Sequence, residues 1–360
     1  MLMRLSWLVV VAGGALVLMN CGKNSKFPTS NTMYVATQSS AQIWGYRANF
    51  NNGTLSTING SPFAAAPASA ILIDPSQSFA YLASNDGHIQ RFSFDLNGSL
   101  VPVSGNAVPT GINPVALAMD SGGKLLFVAN QGSSTISVFS VGSGASLTEV
   151  GGSPFAVTNL LSPSSATSPV SLAIRASTNF LYVVDQNNNL VLTYQFDPNT
   201  GFVSNPNPNL LPPVLVGTSP SSVAINPAGT FMFVANSGSN NVSGFKINND
   251  GSLSAMDKSP FAAELGPSSA AVDPSGQFLY VTDKGSNQIS GYRITAGTGD
   301  LTPTVGSPYN TGAGPIFVAI SPINKYLYVS NNSAATISGF LIDPTGGNLS
   351  SVSSTVTTGT

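Results

Sequence analysis

At 360 residues the chain is long enough for two domains, yet all-β propellers and barrels of this size fold as one unit, so length sets no internal boundary. Hydrophobic residues make up 42% and charged residues only 7%, against roughly 25% charged in an average soluble protein, which leaves ample material for a core and a surface built mainly from Ser, Thr, Asn and Gly. A formal net charge of −2 without any Lys/Arg cluster removes the electrostatic attraction that dominates nucleic-acid affinity, and so excludes DNA or RNA as a partner.

From the N-terminus, residues 1–21 predict an export signal: Arg4, an apolar stretch from Leu5 to Met19, then Cys21, the single cysteine of the chain. A membrane-spanning helix needs about 20 apolar residues, whereas this run is interrupted at Gly13-Gly14 and stops at Asn20-Cys21-Gly22, so a permanent anchor helix is the weaker reading. Leu18-Met19-Asn20-Cys21 resembles the bacterial lipobox, with Asn20 where a small residue is usual. The resemblance implies lipidation of Cys21 and attachment to the cell envelope, on the outer-membrane or periplasmic side, with the anchor as the one membrane contact. An ordinary cleaved signal, with release of the protein, is the alternative. One acyl chain gives only marginal binding, so stable attachment requires a second. A lone cysteine leaves no intramolecular disulfide. Residues 22–32, polar and containing Pro28, read as a tether to a single domain over 33–360.

Beyond the tether the chain repeats itself with the 40-to-50-residue period that signals propeller blades. A unit opens with a Pro-led apolar run such as Pro220 to Ile225, turns at a Pro-x-Gly, and continues through a second run, Phe231 to Asn236. An alternating third run, Asn241 to Ile247, an Asn-Asp-Gly turn and a fourth segment from Leu253 complete it. The second run recurs at Met33, Phe79, Leu125, Phe180, Phe231, Phe278 and Tyr326. These copies predict an all-β, seven-bladed β-propeller with four antiparallel strands per blade. Continuous apolar runs suit inner strands buried on both faces, and the alternating third run suits a half-exposed strand nearer the rim. The Pro-led run occurs only six times, near Ser69, Pro114, Pro169, Pro220, Pro267 and Pro315, so blade one is expected to be incomplete at its inner strand. Residues 26–32 or the 350s could fill the place, or the blade has three strands.

Asp74-Pro75, Asn226-Pro227, Asp273-Pro274 and Ser321-Pro322 start the turn between first and second strands, and Asn97-Gly98 and Asp250-Gly251 supply the positive φ that tight hairpins need. Ser61-Pro62-Phe63, Ser153-Pro154-Phe155, Ser259-Pro260-Phe261 and Ser307-Pro308-Tyr309 close their units. They read as staples between blades, with proline on an edge strand and the aromatic ring in the gap.

Phe127-Val128-Ala129-Asn130-Gln131-Gly132, Phe233-Val234-Ala235-Asn236-Ser237-Gly238 and Tyr280-Val281-Thr282-Asp283-Lys284-Gly285 resemble the YVTN-type propeller repeat, and with the Pro-x-Gly turns the chain is similar to the seven-bladed lactonase family, which includes 6-phosphogluconolactonase-like proteins. That resemblance implies lactone hydrolysis by His, Arg and Glu side chains, carried in a Gly-Pro-Arg-His start to an inner strand and an Asn-Glu pair after a second strand. The matching positions here read Asn113-Pro114-Val115-Ala116, Ser168-Pro169-Val170-Ser171, Ser219-Pro220-Ser221-Ser222, Gly266-Pro267-Ser268-Ser269 and Gly314-Pro315-Ile316-Phe317, without Arg or His. Gln131, Gln186, Ser237, Lys284 and Asn332 follow the second strands, without Glu, so no catalytic residue carries over.

The remaining candidates come from residue type and loop position. His88, the one histidine, lies beside Asp86 in a loop between second and third strands, and with Glu264 it forms the weak catalytic set; a solvated turn histidine is the competing reading. Asp185, Asp283 and Lys284 end second strands and, with Glu264, could bind a small polar ligand or a hard cation through oxygen. Chance placement on seven similar loops competes with that. Glu149 reads as an outer-strand surface residue. Zinc-ligand spacing, a serine elbow and a phosphate-binding loop are missing, so no metal site or cofactor is expected. The expected partners are an envelope protein, a glycan or a small molecule, bound by a monomer whose long loops, 157–168 and 205–213, offer contact surface. Two functions stay open, a binding or scaffold module and a lactone hydrolase.

Overall fold

The computed structural model describes residues 16–20, 31–38, 40–159, 161–175, 178–204, 211–352 and 356–358; Cys21, the start of the export signal, residues 22–30 of the tether and most of the loop 205–213 lie outside them. Seven antiparallel sheets form, and their inner strands are Leu16–Asn20, Ala68–Ile73, Pro114–Met119, Pro169–Ile174, Pro220–Ile225, Pro267–Val272 and Pro315–Ile320. Each inner strand lies against the next around a closed ring, with Leu16–Asn20 between those of blades seven and two. Among the described residues the one helical element is a three-residue 3-10 turn, Ser143–Ala145, and no helix is long and apolar enough to cross a membrane.

Second strands such as Leu125–Asn130, Phe180–Asp185 and Phe278–Asp283 are buried along their whole length, as continuous apolar runs require. Their side chains pack with those of adjacent blades, so that Phe127 and Val138 of blade three join Leu172 and Leu181 of blade four in one cluster. Each large side chain fully removed from water there contributes about 1.5–3 kcal/mol. The third strands are more buried than their alternation predicts: Asn241–Ile247 exposes only Lys246 fully. The reason is the closing Ser-Pro-aromatic segment. Its proline is cis in blades one, three, five and six, and the serine oxygens of Ser61, Ser153, Ser259 and Ser307 accept the N–H of Gly45, Val138, Gly244 and Gly291 at 2.8–2.9 Å. The aromatic ring then lies over the third strand, so that a Cβ on Gly244 would meet Phe261 at 2.8 Å. These segments thus bind chiefly within their own blade, as a fifth short strand beside the third, and Phe155 in addition meets Tyr194 of the following blade at 5.5 Å between ring centres.

Bonds between blades come from a feature the repeats do not advertise. Tyr34, Tyr182, Tyr280 and Tyr328, each the third residue of the apolar second run, donate their hydroxyls to the carbonyls of Gly98, Gly251, Gly347 and Gly53 in the hairpin of the next blade, at 2.5, 2.9, 2.7 and 2.8 Å. The last of these joins blade seven to blade one, helped by Lys325 Nζ and Tyr326 Oη on the Phe50 carbonyl and by Tyr46 Oη on that of Thr357. Because Tyr34 matches Tyr280 and Tyr328 in this contact series, and stands opposite Gly45 as they stand opposite Gly291 and Gly339, the second strand of blade one is in step with Phe278 and Tyr326 at Thr32 rather than at Met33. Its inner partner is the segment Leu16–Asn20, in register from Leu16 opposite Ala36 to Asn20 opposite Thr32. With the apolar N-terminal run in place, its residues 16–20 therefore complete the blade, in place of residues 26–32 or the 350s.

Candidate functional site

The propeller has two unlike faces. On one, the turns between first and second strands meet the hairpins between third and fourth. Asp74, Asp120, Asn226, Asp273 and Ser321 cap those turns by accepting two backbone N–H groups each, for example Asp273 Oδ1 from Gln277 and Phe278 at 2.7 and 2.6 Å. Asp74 and Asp273 are turn residues, as their Asp-Pro context predicts, and Asp120 caps the same turn without a following proline. On the other, the loops that lead into inner strands run beside the hairpins joining second and third strands, tied by bonds such as Lys284 N–H to Gly266 O and Gln131 N–H to Asn113 O. All six candidate residues of the domain lie on this loop face. Among the described residues they are also its whole complement of Asp, Glu, Lys, Arg and His.

They form two groups on different blades. His88 begins the strand His88–Phe94 of blade two, and its Nδ1 lies 3.3 Å from Asp86 Oδ1 with the side chains 40% and 60% exposed. Ser84 donates to the same Asp86 oxygen at 2.5 Å, and that bond, with a smaller contribution from His88, holds the carboxyl below its usual range. The exposure and the strand-end position also fit a solvated turn histidine. In blade six, Asp283 is fully buried at the end of Phe278–Asp283 and accepts the Ser290 hydroxyl at 2.7 Å. Burial pushes its pKa up to about 7, with the charge of Glu264 acting in the same direction and the Ser290 bond against it. Lys284 is exposed at the adjoining turn. Asp185 is also buried, but its two oxygens accept the Ser168 N–H at 2.8 Å and Asn188 Nδ2 at 2.6 Å, so it serves to tie loops together. Asp283 and Glu264 are thus brought together, whereas Glu264 shares no described bond with His88 and Asp86. No group of three or more His, Cys, Asp or Glu side chains among the described residues is placed to hold a metal ion.

The positions that match Arg and His in the resembled family have other duties. Val115, Val170 and Ile316 are buried, Ser221 Oγ donates to the Pro267 carbonyl at 2.8 Å, and Ser268 Oγ donates to that of Pro315 at 3.0 Å. One residue further, Ser171 and Ser222 accept the N–H groups of Val223 and Ala270 at 3.0 and 3.2 Å. With Gln186 Nε2 on the Pro220 carbonyl at 3.2 Å, these bonds run from blade to blade around the central ring. Sequence reading missed this belt, and it missed Ser290. A spacing could have revealed the latter: a serine lies seven residues after the strand-end Asn or Asp in blades three, five, six and seven.

Solved structures similar to this chain include a candidate 6-phosphogluconolactonase from Bacteroides fragilis, 21% identical with a TM-score of 0.78 over 94% of this chain and 97% of that one. Others are the periplasmic gluconolactonase of Pseudomonas aeruginosa, 19% identical, TM-score 0.75 over 92% and 96%, and a virginiamycin B lyase from Staphylococcus aureus, 13% identical, TM-score 0.60 over 91% and 99%. At such identities the likeness establishes the fold alone. No curated protein matches the sequence. The family model described as lactonase, 7-bladed beta-propeller matches residues 25–159 and 155–360, and with the seven sheets seen here the chain belongs to that lactonase family of β-propellers.

Proposed function

We propose that this lactonase-family propeller is a binding module of the bacterial cell envelope, whose loop face takes a neutral, hydroxyl-rich ligand such as a glycan. The observation that carries this is the chemistry of that face. Its hairpins present Asn85, Asn187, Ser237, Ser239, Asn287 and Asn332, while the positions that match the family's Arg hold Val, Ser and Ile and those that match its His hold Ala, Ser and Phe. Amides and hydroxyls suit sugar hydroxyls, whereas a phosphorylated substrate brings a charge of about −2 and asks for cations. Lys284 is the one Lys or Arg among the described residues of that face. Glycan-array and calorimetric titration of the purified protein test the reading. Binding that survives high salt supports it. Binding confined to anionic ligands, or turnover without binding of any neutral glycan, ends it.

A second reading, lactone hydrolysis, is favoured by a specific observation: a buried carboxyl with a pKa near 7 suits a general acid or base at neutral pH. Hydrolysis of a neutral aldonolactone by the wild type, lost in Asp283→Asn but kept in His88→Ala, would establish it with Asp283 as the working group. Buffer-level rates for all three would exclude it.

We take Cys21 as the lipid attachment point. Mass spectrometry of envelope-extracted protein decides between this and retention of the N-terminus. An acylated peptide beginning at Cys21 supports the anchor. A peptide that contains residues 16–20 in the mature protein would show instead that blade one keeps Leu16–Asn20 as its inner strand, and would remove the anchor.

A further inference from the structure

The end of the second strand is the same structural slot in every blade, and its occupants can be compared directly. In blades three, five and seven it holds Asn130, Asn236 and Asn331, whose Nδ2 atoms donate to Ser137, Ser243 and Ser338 on the third strand at 3.0, 3.0 and 2.8 Å. The residue facing the slot from the incoming loop is then glycine. A Cβ on Gly111, Gly217 or Gly312 would come within 2.5, 2.8 and 2.6 Å of the asparagine, and the Gly111 N–H donates to Asn130 Oδ1 at 3.1 Å. Blade six keeps the serine, as Ser290, but has Asp283 in the slot and Glu264 in place of the glycine. Asn and Asp have the same shape. They differ in one respect, that ionised Asp has no donor to replace Nδ2.

We propose that Asp283 is a proton-operated latch for the loop 263–266 on the loop face: protonated, it holds loop and third strand together as Asn130 does in blade three, and ionised, it loosens that junction. Several independent features support this. Asp283 is completely buried, its Oδ2 is engaged by Ser290, and its Oδ1 has no hydrogen-bond partner, an arrangement that is costly for a carboxylate and mild for a carboxylic acid. The groups facing it are Glu264 on the loop, whose side-chain charge disfavours a further negative charge while its backbone N–H favours one, and Tyr292 on the third strand, whose own ionisation the Asp283 charge opposes. Exposed Lys284 follows it in the chain, Tyr280 precedes it on the same strand, and Arg293 lies at the far end of the third strand over Phe278. The flanking inner strands Pro267–Val272 and Pro315–Ile320 carry no ionisable side chain. Asp185 in blade four is the control. There both oxygens accept N–H donors, a set that a carboxylate fills without a proton.

The sign follows from linkage. Burial raises the folded-state pKa above the unfolded value, so the stabilising effect is complete below the ordinary carboxylate range and is lost as pH rises through about 7. The test is chemical denaturation of the full chain, wild type and Asp283→Asn, between roughly pH 5 and 9, with hydrogen-exchange protection factors for residues 263–266. The unfolding equilibrium of wild type relative to Asp283→Asn is expected to rise by up to about tenfold per pH unit on approaching pH 7 and to level off above it. Loop protection should fall in step in the wild type and stay constant in the variant, which keeps the asparagine shape that three other blades use. Glu264→Gln should retain the transition and move it to lower pH. Parallel curves for wild type and Asp283→Asn, or a transition abolished by Glu264→Gln and untouched by Asp283→Asn, would overturn the proposal. The latch does not depend on which ligand the loop face takes.

Discussion

The turn face and the loop face of this propeller are built by the same repeats, yet they diverge in opposite senses. On the turn face one solution recurs: a short polar side chain caps the first turn, and a tyrosine hydroxyl reaches the hairpin glycine of the following blade. On the loop face the equivalent positions change from blade to blade, with Asn, Asp and Ser in the strand-end slots of blades two to seven and Ala, Gly or Glu opposite them. Repetition thus records packing, and departure from it marks where the surface has been shaped for something else.

Alkaline pH should break the turn face most severely. Burial raises the pKa of Tyr34, Tyr182, Tyr280 and Tyr328, and holds Tyr194 at about 12. A raised folded value means that stability is intact below about pH 10, the unfolded value, and is lost as pH climbs through the folded ones. Cooperative unfolding coincident with tyrosinate absorbance is the expected outcome. Next in size is Gly251→Val. Its φ is +84°, and a Cβ would sit 2.6 Å from the Phe180 ring, so backbone strain and overpacking together should cost roughly 2–5 kcal/mol, read from the denaturation midpoint. Tyr182→Phe should cost about 1–2 kcal/mol because the Gly251 carbonyl loses its donor. Tyr81→Phe should cost nothing or stabilise, since that buried hydroxyl has no partner where blade three substitutes a 3-10 turn for the usual hairpin. The smallest effect is expected on the loop face: His88→Ala should change stability by no more than about 0.5 kcal/mol, while calorimetry reports whether it alters ligand affinity.

Blade count, strand order and turn chemistry were legible because they rest on neighbours in sequence. Asp273 caps its own turn four and five residues on, and the Asp-Pro pair announces it. The third strand was harder. Its alternation in Asn241–Ile247 suggested exposure, but the Phe261 ring covers Gly244 from the other side of a cis-proline turn. At the candidate site, residue type pointed to Asp185 and Asp283 alike, and only their different donors separated a tie between loops from a buried acid.

Sequence by itself determined that seven similar sheets would close into a ring with a charge-poor surface, since strand and turn preferences act over a few residues and repeat with the unit. Tertiary structure alone decided which blade-to-blade bonds form, which N-terminal segment completes blade one, and which carboxyl is stripped of water. The tyrosine-to-glycine bonds join residues 64 to 69 positions apart within consecutive blades, and 275 apart across the ring closure. No local pattern encodes such partners, because the hydrogen bond exists only after two independently folded sheets are pressed together and water has left the gap between them.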